Sequence, residues 1–487
     1  MSANAPTTAT RPGARHAMYP AHARHAMYPA RARQTSMYSP RTLPARPPLT
    51  RSTREIMVFV VIALGAIATV AMWWADTPPS SLHGLGAWLR SAARITALVG
   101  TYLVVIEVLL MGRVAWLDRI IGFDRLAIWH RRNGEYSIAL LSAHAFLVIW
   151  GYGIAQQKSI PGETRHLMTY PDIIGCTVGL GLFLLIGFLS AKAVRQKVNR
   201  ETWYFIHLYI YLALALSFAH QFKCGLDFAD HPLHRALWVA LYAFVGAMLV
   251  CYRIVKPMRD LARHRLRVTS VVPEGSGTVS IYLKGRRLRD VRAEAGQFFM
   301  WRFLTKDHWW QAHPFSLSAA PNGRFLRLTV KALGDHSRAL NNLQPGVRVI
   351  AEGPYGAFTG RRRGHRHVLL IAGGVGITPL RALYESLPGV GRDVTFIYRV
   401  DRPDEIVFKA ELDEIARARR GQIHYLVGLR PDHPEYLSPD HLKSLVPDIV
   451  WRDVFVCGPP RMQAMVLDSL AVLRVPRGQV HHENFEL

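Results

Sequence analysis

The segments HRRNGEYSIALLSAH (130–144) and HLYIYLALALSFAH (207–220) decide how the first half of this chain is read. Each begins and ends with histidine inside an apolar stretch. Fourteen residues separate His130 from His144, a rise of about 21 Å and about 40° short of four helical turns, so both rings fall on nearly one face. Thirteen separate His207 from His220, about 140° short of four turns, so a kink, a local 3₁₀ or π turn, or different rotamers must bring one ring back. Working outward, six apolar stretches appear, at roughly 56–75, 93–112, 130–155, 173–191, 203–222 and 233–252. Each is about long enough to cross a bilayer. As buried helices of a soluble protein they would crowd six apolar helices into some 200 residues.

Loop charge orients these spans. With the Arg-rich start inside, the inner loops carry Arg113, Arg119, Arg125, Arg131, Arg132, Lys192, Arg195, Lys197 and Arg200, against Arg90, Arg94, Lys158, Arg165 and Lys223 outside. The positive-inside rule then predicts six spans in the cell membrane with both termini cytoplasmic. Spans three and five run the same way, so His130 levels with His207 and His144 with His220. Ionisable groups in hydrocarbon are costly and mark function. Two levels of paired imidazoles suit two stacked haems b with bis-histidine ligation, hydrogen-bonded packing histidines being the plainer alternative. His166, His231 and His234 read as surface residues.

Composition bounds the rest. A chain of 487 residues exceeds one ordinary core. Sixty Lys and Arg against 34 Asp and Glu give +26, but the excess borders apolar runs or lies in residues 1–54, where no acid occurs. That placement argues for a lipid bilayer and against nucleic acid. The tail, with RHAMYPA at 15–21 and 24–30, reads as disordered, cytoplasmic and without a cleavable signal. Cys176, Cys224, Cys251 and Cys457 are far apart, which excludes a Cys-ligated iron–sulfur cluster and a disulfide scaffold.

After about Lys256 the pattern changes. Leu266–Val272, Thr278–Leu283 and Leu326–Lys331 alternate apolar with polar residues and are bounded by Gly and Pro, as antiparallel strands are. From His367 the order is apolar strand, glycine turn, helix, which predicts a parallel α/β sheet. The fold class is therefore multi-domain: an all-α six-helix transmembrane bundle (55–255), an antiparallel β-barrel (260–360) and an α/β nucleotide-binding domain (365–487). Small hydroxyls, backbone N–H groups and a cation in HPFS (His313, Pro314, Phe315, Ser316) and LTVKALGDHS (328–337) are what a flavin edge and its pyrophosphate need. Gly373, Gly374, Gly376, Thr378 and Pro379 form a glycine turn opening a helix, fit for a pyrophosphate or simply for strand–helix packing. Cys457, Gly458 and Pro459 end another apolar strand, where an open α/β sheet places ligands.

In this order and spacing, from about Ile56 to Leu487, these motifs resemble the ferric reductase and NADPH oxidase superfamily, a six-helix haem domain fused to a ferredoxin-NADP⁺-reductase-like module. The resemblance implies His130, His144, His207 and His220 as haem ligands, and HPFS as the FAD motif with Ser316 near flavin N5. It places Lys331, Gly334 and Ser337 near the FAD phosphates and makes GGVGITP and CGP the NAD(P)H motifs. Phe485 resembles the terminal aromatic that covers the flavin, here trailed by Glu486 and Leu487. Arg399 is placed to pair with a 2′-phosphate, favouring NADPH, with NADH open because Asp401 is close. Arg94 resembles an arginine held near the outer haem of the oxidases, a membrane-interface snorkel being the plainer reading. A further oxidase histidine is replaced by Val148. The implied acceptor on the outer face is oxygen or a ferric chelate. A quinone, a periplasmic partner protein, or a haem-free membrane-anchored flavin reductase remain the alternatives.

Overall fold

In the computed structural model, which describes residues 51–224, 228, 231–429 and 431–483, six helices are long and apolar enough to cross a bilayer. Spans 1 to 4 are Arg51–Ala75, Gly84–Leu110, Phe123–Ala155 and Pro171–Ser190; span 5 is Arg200–Leu208 plus Ile210–Cys224. Span 6 is Pro232–Val250, continuing through a π turn at Cys251–Val255 into Lys256–His264. Large apolar side chains such as Val61, Ile67, Phe188 and Phe244 stand exposed on the outside of this bundle, a surface that suits hydrocarbon rather than water. Span 2 is the most enclosed helix. A Cβ on its Gly100 would lie 3.1 Å from the Leu141 side chain, so a small residue there lets spans 2 and 3 pack closely.

Two boundaries differ from expectation. Span 2 begins at Gly84, which puts Arg94 almost three turns inside the helix and not at its start. The glycines and arginines of GLGAWLRSAAR hold down local hydropathy while leaving the backbone free to be helical. Span 6 runs on to His264, past the point where the composition turns polar, because a helix needs no apolar side chains beyond the bilayer. The basic tail and Phe485 lie outside the described residues.

Six strands follow: β1 (Arg267–Gly275), β2 (Thr278–Lys284), β3 (Phe298–Phe303), β4 (His313–Ser316), β5 (Leu326–Lys331) and β6 (Val349–Tyr355). They form antiparallel sheets β1-β2-β5 and β4-β3-β6. Bonds from Ser318 N–H to Arg327 C=O (2.9 Å) and from Val349 N–H to Leu266 C=O (3.0 Å) join the sheets into a barrel. Its interior holds Ile281, Leu283, Trp301, Phe303 and Leu328, alternate residues of their strands.

The α/β unit is a five-stranded parallel sheet in the order β11-β10-β7-β8-β9: β7 (Val368–Gly373), β8 (Val394–Val400), β9 (Gln422–Val427), β10 (Asp453–Cys457) and β11 (Val480–Glu483). Leu370 and Phe396 face one core while Leu369 and Ile397 face another. Both faces are covered, which is why β7 is apolar throughout.

Between barrel and α/β unit, Arg327 is buried and binds both oxygens of Glu411 at 2.7 and 3.0 Å, and Arg381 reaches Glu411 at 2.8 Å. Burial alone would raise the Glu411 carboxyl, but the two guanidiniums outweigh it and hold the group below its ordinary value. The unfolded chain then takes up the proton more readily, so this contribution is present above about pH 4.3 and is lost as pH falls below it. Melting temperature followed against pH should drop on that acid limb, and Glu411→Gln should flatten it. An unchanged limb would show that the pair adds nothing.

Candidate functional site

The two histidine levels form as the spacing required. His130 and His207 have ring centroids 5.8 Å apart, and His144 and His220 have theirs 6.4 Å apart. Span 5 is interrupted between its two histidines at Tyr209, whose N–H bonds Ile206 C=O in a 3₁₀-type turn at 3.0 Å. That tighter turn adds rotation which a regular helix lacks over thirteen residues.

Each level has its own support. His144 Nδ1 lies 2.9 Å from Ala93 C=O, which makes Nδ1 the protonated nitrogen and leaves Nε2 a lone pair. His130 Nδ1 lies 2.8 Å from Glu107 Oε1, and Asn133 donates to the other Glu107 oxygen at 2.5 Å. A Cβ on Gly134 would meet Glu107 Oε1 at 2.9 Å, so this glycine makes room for the carboxylate. His207 stacks on Trp203 at 4.9 Å. The Nδ1 atoms of His130, His207 and His220 are all buried without a hydrogen bond, the Glu107 carboxylate approaching His130 as an ion-pair contact only.

A ring nitrogen sits about 2 Å from a bound metal, which places two rings on opposite sides of one ion about 6 Å apart between centroids. Both observed separations are compatible with one ion between each pair of rings. Glu107 was not singled out from the sequence, although a lone acid in an apolar span was the available signal. A carboxylate behind a metal-binding histidine tunes it, and removing such a partner costs roughly 10–100-fold in metal affinity. Where haem occupies the His130 level, Glu107→Gln should therefore weaken its retention there only, measured by haem stoichiometry after extended dialysis. Equal loss at both levels would argue against this role.

Arg94 donates from Nη1 to Asp76 C=O at 3.3 Å. At the other end of the bundle the barrel docks through side chains that the sequence did not reveal. Buried Asp118 accepts from Gly356 N–H at 2.6 Å, Arg113 meets Glu352 at 2.5 Å, and Lys256 reaches Gly353 C=O at 2.5 Å. Phe123 packs edge-on against Phe298 at 6.3 Å.

Trp301 Nε1 donates to Phe315 C=O at 2.8 Å, pinning the HPFS strand, and the Ser316 hydroxyl is buried without a partner. His313 stacks on His336 at 3.8 Å. Burial, then the neighbouring His313 and His308, pushes His336 down to about 3, so it is neutral at pH 7. Ser337 Oγ accepts from the N–H groups of Leu333 and Gly334, each at 2.9 Å, holding the turn after β5. A cleft between the barrel and the α/β unit is lined by Thr278, Thr329, Lys331, Gly374, Thr378 and Glu405. Lys331 spans it to Glu405 at 3.4 Å. Glu405 is another residue that the sequence analysis did not single out.

The glycines of the turn after β7 have separate tasks. Gly374 adopts φ +50° and faces open space, so it shapes the turn and leaves its backbone approachable. Gly376 has ordinary φ, but a Cβ there would fall 2.2 Å from Cys457 C=O. Gly373 packs on Met462 and Pro459. The GGVG and CGPP turns are thus pressed backbone to backbone, with Thr378 and Pro379 in the first turn of the following helix. Gln463 ties Gly458 C=O and Glu483 C=O together at 2.8 and 2.9 Å. Arg399 is held by Asp401 at 2.7 Å and Gly428 C=O at 3.2 Å.

Three family models match the chain: "Ferric reductase like transmembrane component" over residues 96–218, "FAD-binding domain" over 265–359 and "Oxidoreductase NAD-binding domain" over 370–468. Among curated proteins, the chain is 34% identical over 224 residues to the ferredoxin reductase component of 3-ketosteroid-9-alpha-monooxygenase of Mycobacterium tuberculosis, covering 44% of this chain and 60% of that protein. It is 28% identical over 188 residues to a flavohemoprotein of Oceanobacillus iheyensis, covering 35% and 46%. The chain spans about half the length of the curated relatives it matches. Among solved structures, the FAD/NAD binding domain of nitric oxide dioxygenase from Vibrio cholerae matches at 24% identity and TM-score 0.37, over 45% of this chain and 98% of that one. A ferredoxin NADP⁺ reductase from Neisseria gonorrhoeae matches at 17% identity and TM-score 0.38, over 45% and 98%.

Six helices long and apolar enough to cross a membrane thus precede regions that match an FAD-binding domain and an oxidoreductase NAD-binding domain. The three matches follow one another in the order found in the ferric reductase and NADPH oxidase superfamily.

Proposed function

We propose that this chain moves electrons from cytoplasmic NAD(P)H across the cell membrane to a one-electron acceptor on the outer face, oxygen or a ferric chelate. The observation that carries the reading is the pair of histidine levels, 5.8 and 6.4 Å between rings, stacked in the bundle above a flavin-type barrel. When bound, FAD would take a hydride from the nicotinamide, and the two haems would pass its electrons on singly. His130 with His207, and His144 with His220, hold the two levels. Ser316 offers its hydroxyl to the flavin ring; Lys331 and the turn at Gly334 and Ser337 face its phosphates. Gly374 and the helix opening at Thr378 receive the nucleotide pyrophosphate. Cys457, Gly458 and Pro459 border the nicotinamide, and Phe485 covers the flavin until nicotinamide displaces it.

Both termini are cytoplasmic in this reading, and 1–54 is a basic tail. The domains are 55–255, 260–360 and 365–487. NADPH is the favoured donor through Arg399, although its contact with Asp401 leaves room for NADH. Arg94, tied to the backbone at Asp76, serves the acceptor end. Val148, standing where oxidases hold a further histidine, weighs toward the ferric chelate.

The deciding experiment is oxygen uptake by the full chain loaded with FAD and haem and given NADPH, with a dismutase-sensitive superoxide reporter. A rapid, dismutase-sensitive signal assigns oxygen. Reduced haems with little uptake assign another acceptor, with ferric citrate added next. A preparation that binds no haem when haem is supplied overturns the relay in favour of an anchored flavin reductase.

A further inference from the structure

The end of the bundle remote from the barrel holds a second set of ligand-type side chains. Asp76 follows the last residue of span 1, and His231 and His234 open span 6. In the fold, His231 Nε2 lies 2.9 Å from one Asp76 oxygen and His234 Nδ1 lies 3.2 Å from the other. One ligand atom from each residue falls within 4.8 Å of the others, which makes this the metal-type grouping among the described residues. The two rings stack at 4.9 Å. The Asp76 carboxylate is only 8% exposed, while the His231 side chain is 46% exposed. The set is thus anchored on its inner side and open to solvent on the other.

We propose that Asp76, His231 and His234 form a binding site for a divalent first-row transition-metal ion of the Zn²⁺ or Fe²⁺ class. Two imidazole nitrogens and one carboxylate oxygen are the donors such ions select over Mg²⁺ or Ca²⁺, which prefer oxygen alone. Three protein ligands on one side leave positions for water or an exchangeable ligand from the solvent side. The donors come from two spans distant in sequence, so a bound ion also clamps span 1 to span 6. The site adjoins the upper histidine level through span 2, where Ala93 C=O faces His144 and Arg94 donates to Asp76 C=O. The proposal does not depend on the acceptor or on the relay.

The plain alternative is a hydrogen-bonded His–Asp–His strap, and glutamine separates the two. His231→Gln and His234→Gln keep an amide donor toward Asp76 but cannot bind a metal as imidazole does. Full-length protein in detergent, loaded with haem and FAD, would be equilibrated with ZnCl₂ alone and passed through gel filtration. Bound zinc would be counted by elemental mass spectrometry, with the haem spectrum and melting temperature as fold controls. The expected result is one zinc ion fewer per chain in the His231→Gln/His234→Gln variant than in the parent, with an unchanged haem spectrum. Because the chain carries 22 histidines, the difference between the two proteins is the readout. Equal zinc counts in the two folded proteins would overturn the proposal and leave the strap. If the double variant does not fold, His231→Gln alone, at the exposed ring, decides by the same count.

Discussion

The His144→Ala protein should retain one haem in place of two and lose transfer to any acceptor at the far face, while NADPH still bleaches its flavin. The reasons are geometric. His144 and His220 face each other at 6.4 Å, and Ala93 C=O orients His144 so that Nε2 is the free nitrogen. With the imidazole gone, His220 alone would be left to hold a haem at this level. The flavin and nucleotide domains fold about their own cores, remote from this level. Haem stoichiometry by absorbance, stopped-flow flavin reduction and acceptor turnover together make the test. Two haems per chain in the variant would show that the rings are paired wrongly.

Gly376→Val should do the reverse, leaving haem content intact and crippling use of the nicotinamide donor. A Cβ at Gly376 would stand 2.2 Å from Cys457 C=O and 2.6 Å from Gly458 N, both backbone atoms that cannot swing aside. The two turns must separate, and strain of this kind costs about 1–3 kcal/mol or more. Both turns border the place assigned to the nucleotide, so KM for NADPH should rise at least about tenfold, which corresponds to about 1.4 kcal/mol. Dithionite should still reduce the haems. A parental KM would show that the close approach is tolerated and that Gly376 does not position the donor. Gly374 makes an instructive contrast: it has φ +50° and open space around it, so a side chain there is opposed by backbone conformation and not by contact.

Much of the architecture was legible because long-range signals survive in local pattern. Apolar length predicts spans, alternation predicts the barrel strands, and an uninterrupted VLLIAG run predicts a strand buried on both faces. Helix ends were less legible. Span 2 starts at Gly84 and span 6 ends at His264 because backbone helicity does not require the hydropathy that marks a membrane core. His231 and His234 read as surface residues, yet they meet Asp76. Their partner lies about 155 residues away in the chain, and no periodicity links the two segments.

Residue pattern alone establishes which residue types stand at which heights: four histidines at two levels, a flavin-type strand end, two glycine turns and the order of three domains. Those follow from spacing and periodicity, which are properties of one element at a time. Which residues face one another emerges only once the chain is folded. Span 5, interrupted by a 3₁₀-type turn at Tyr209, presents both rings to span 3, and Glu107 stands behind His130. Asp118 locks the barrel to the bundle, and Gly376 is required for contact with Cys457, whatever it does for phosphate. Each is a meeting of atoms from separate elements, set by packing and hydrogen-bond satisfaction across the whole fold.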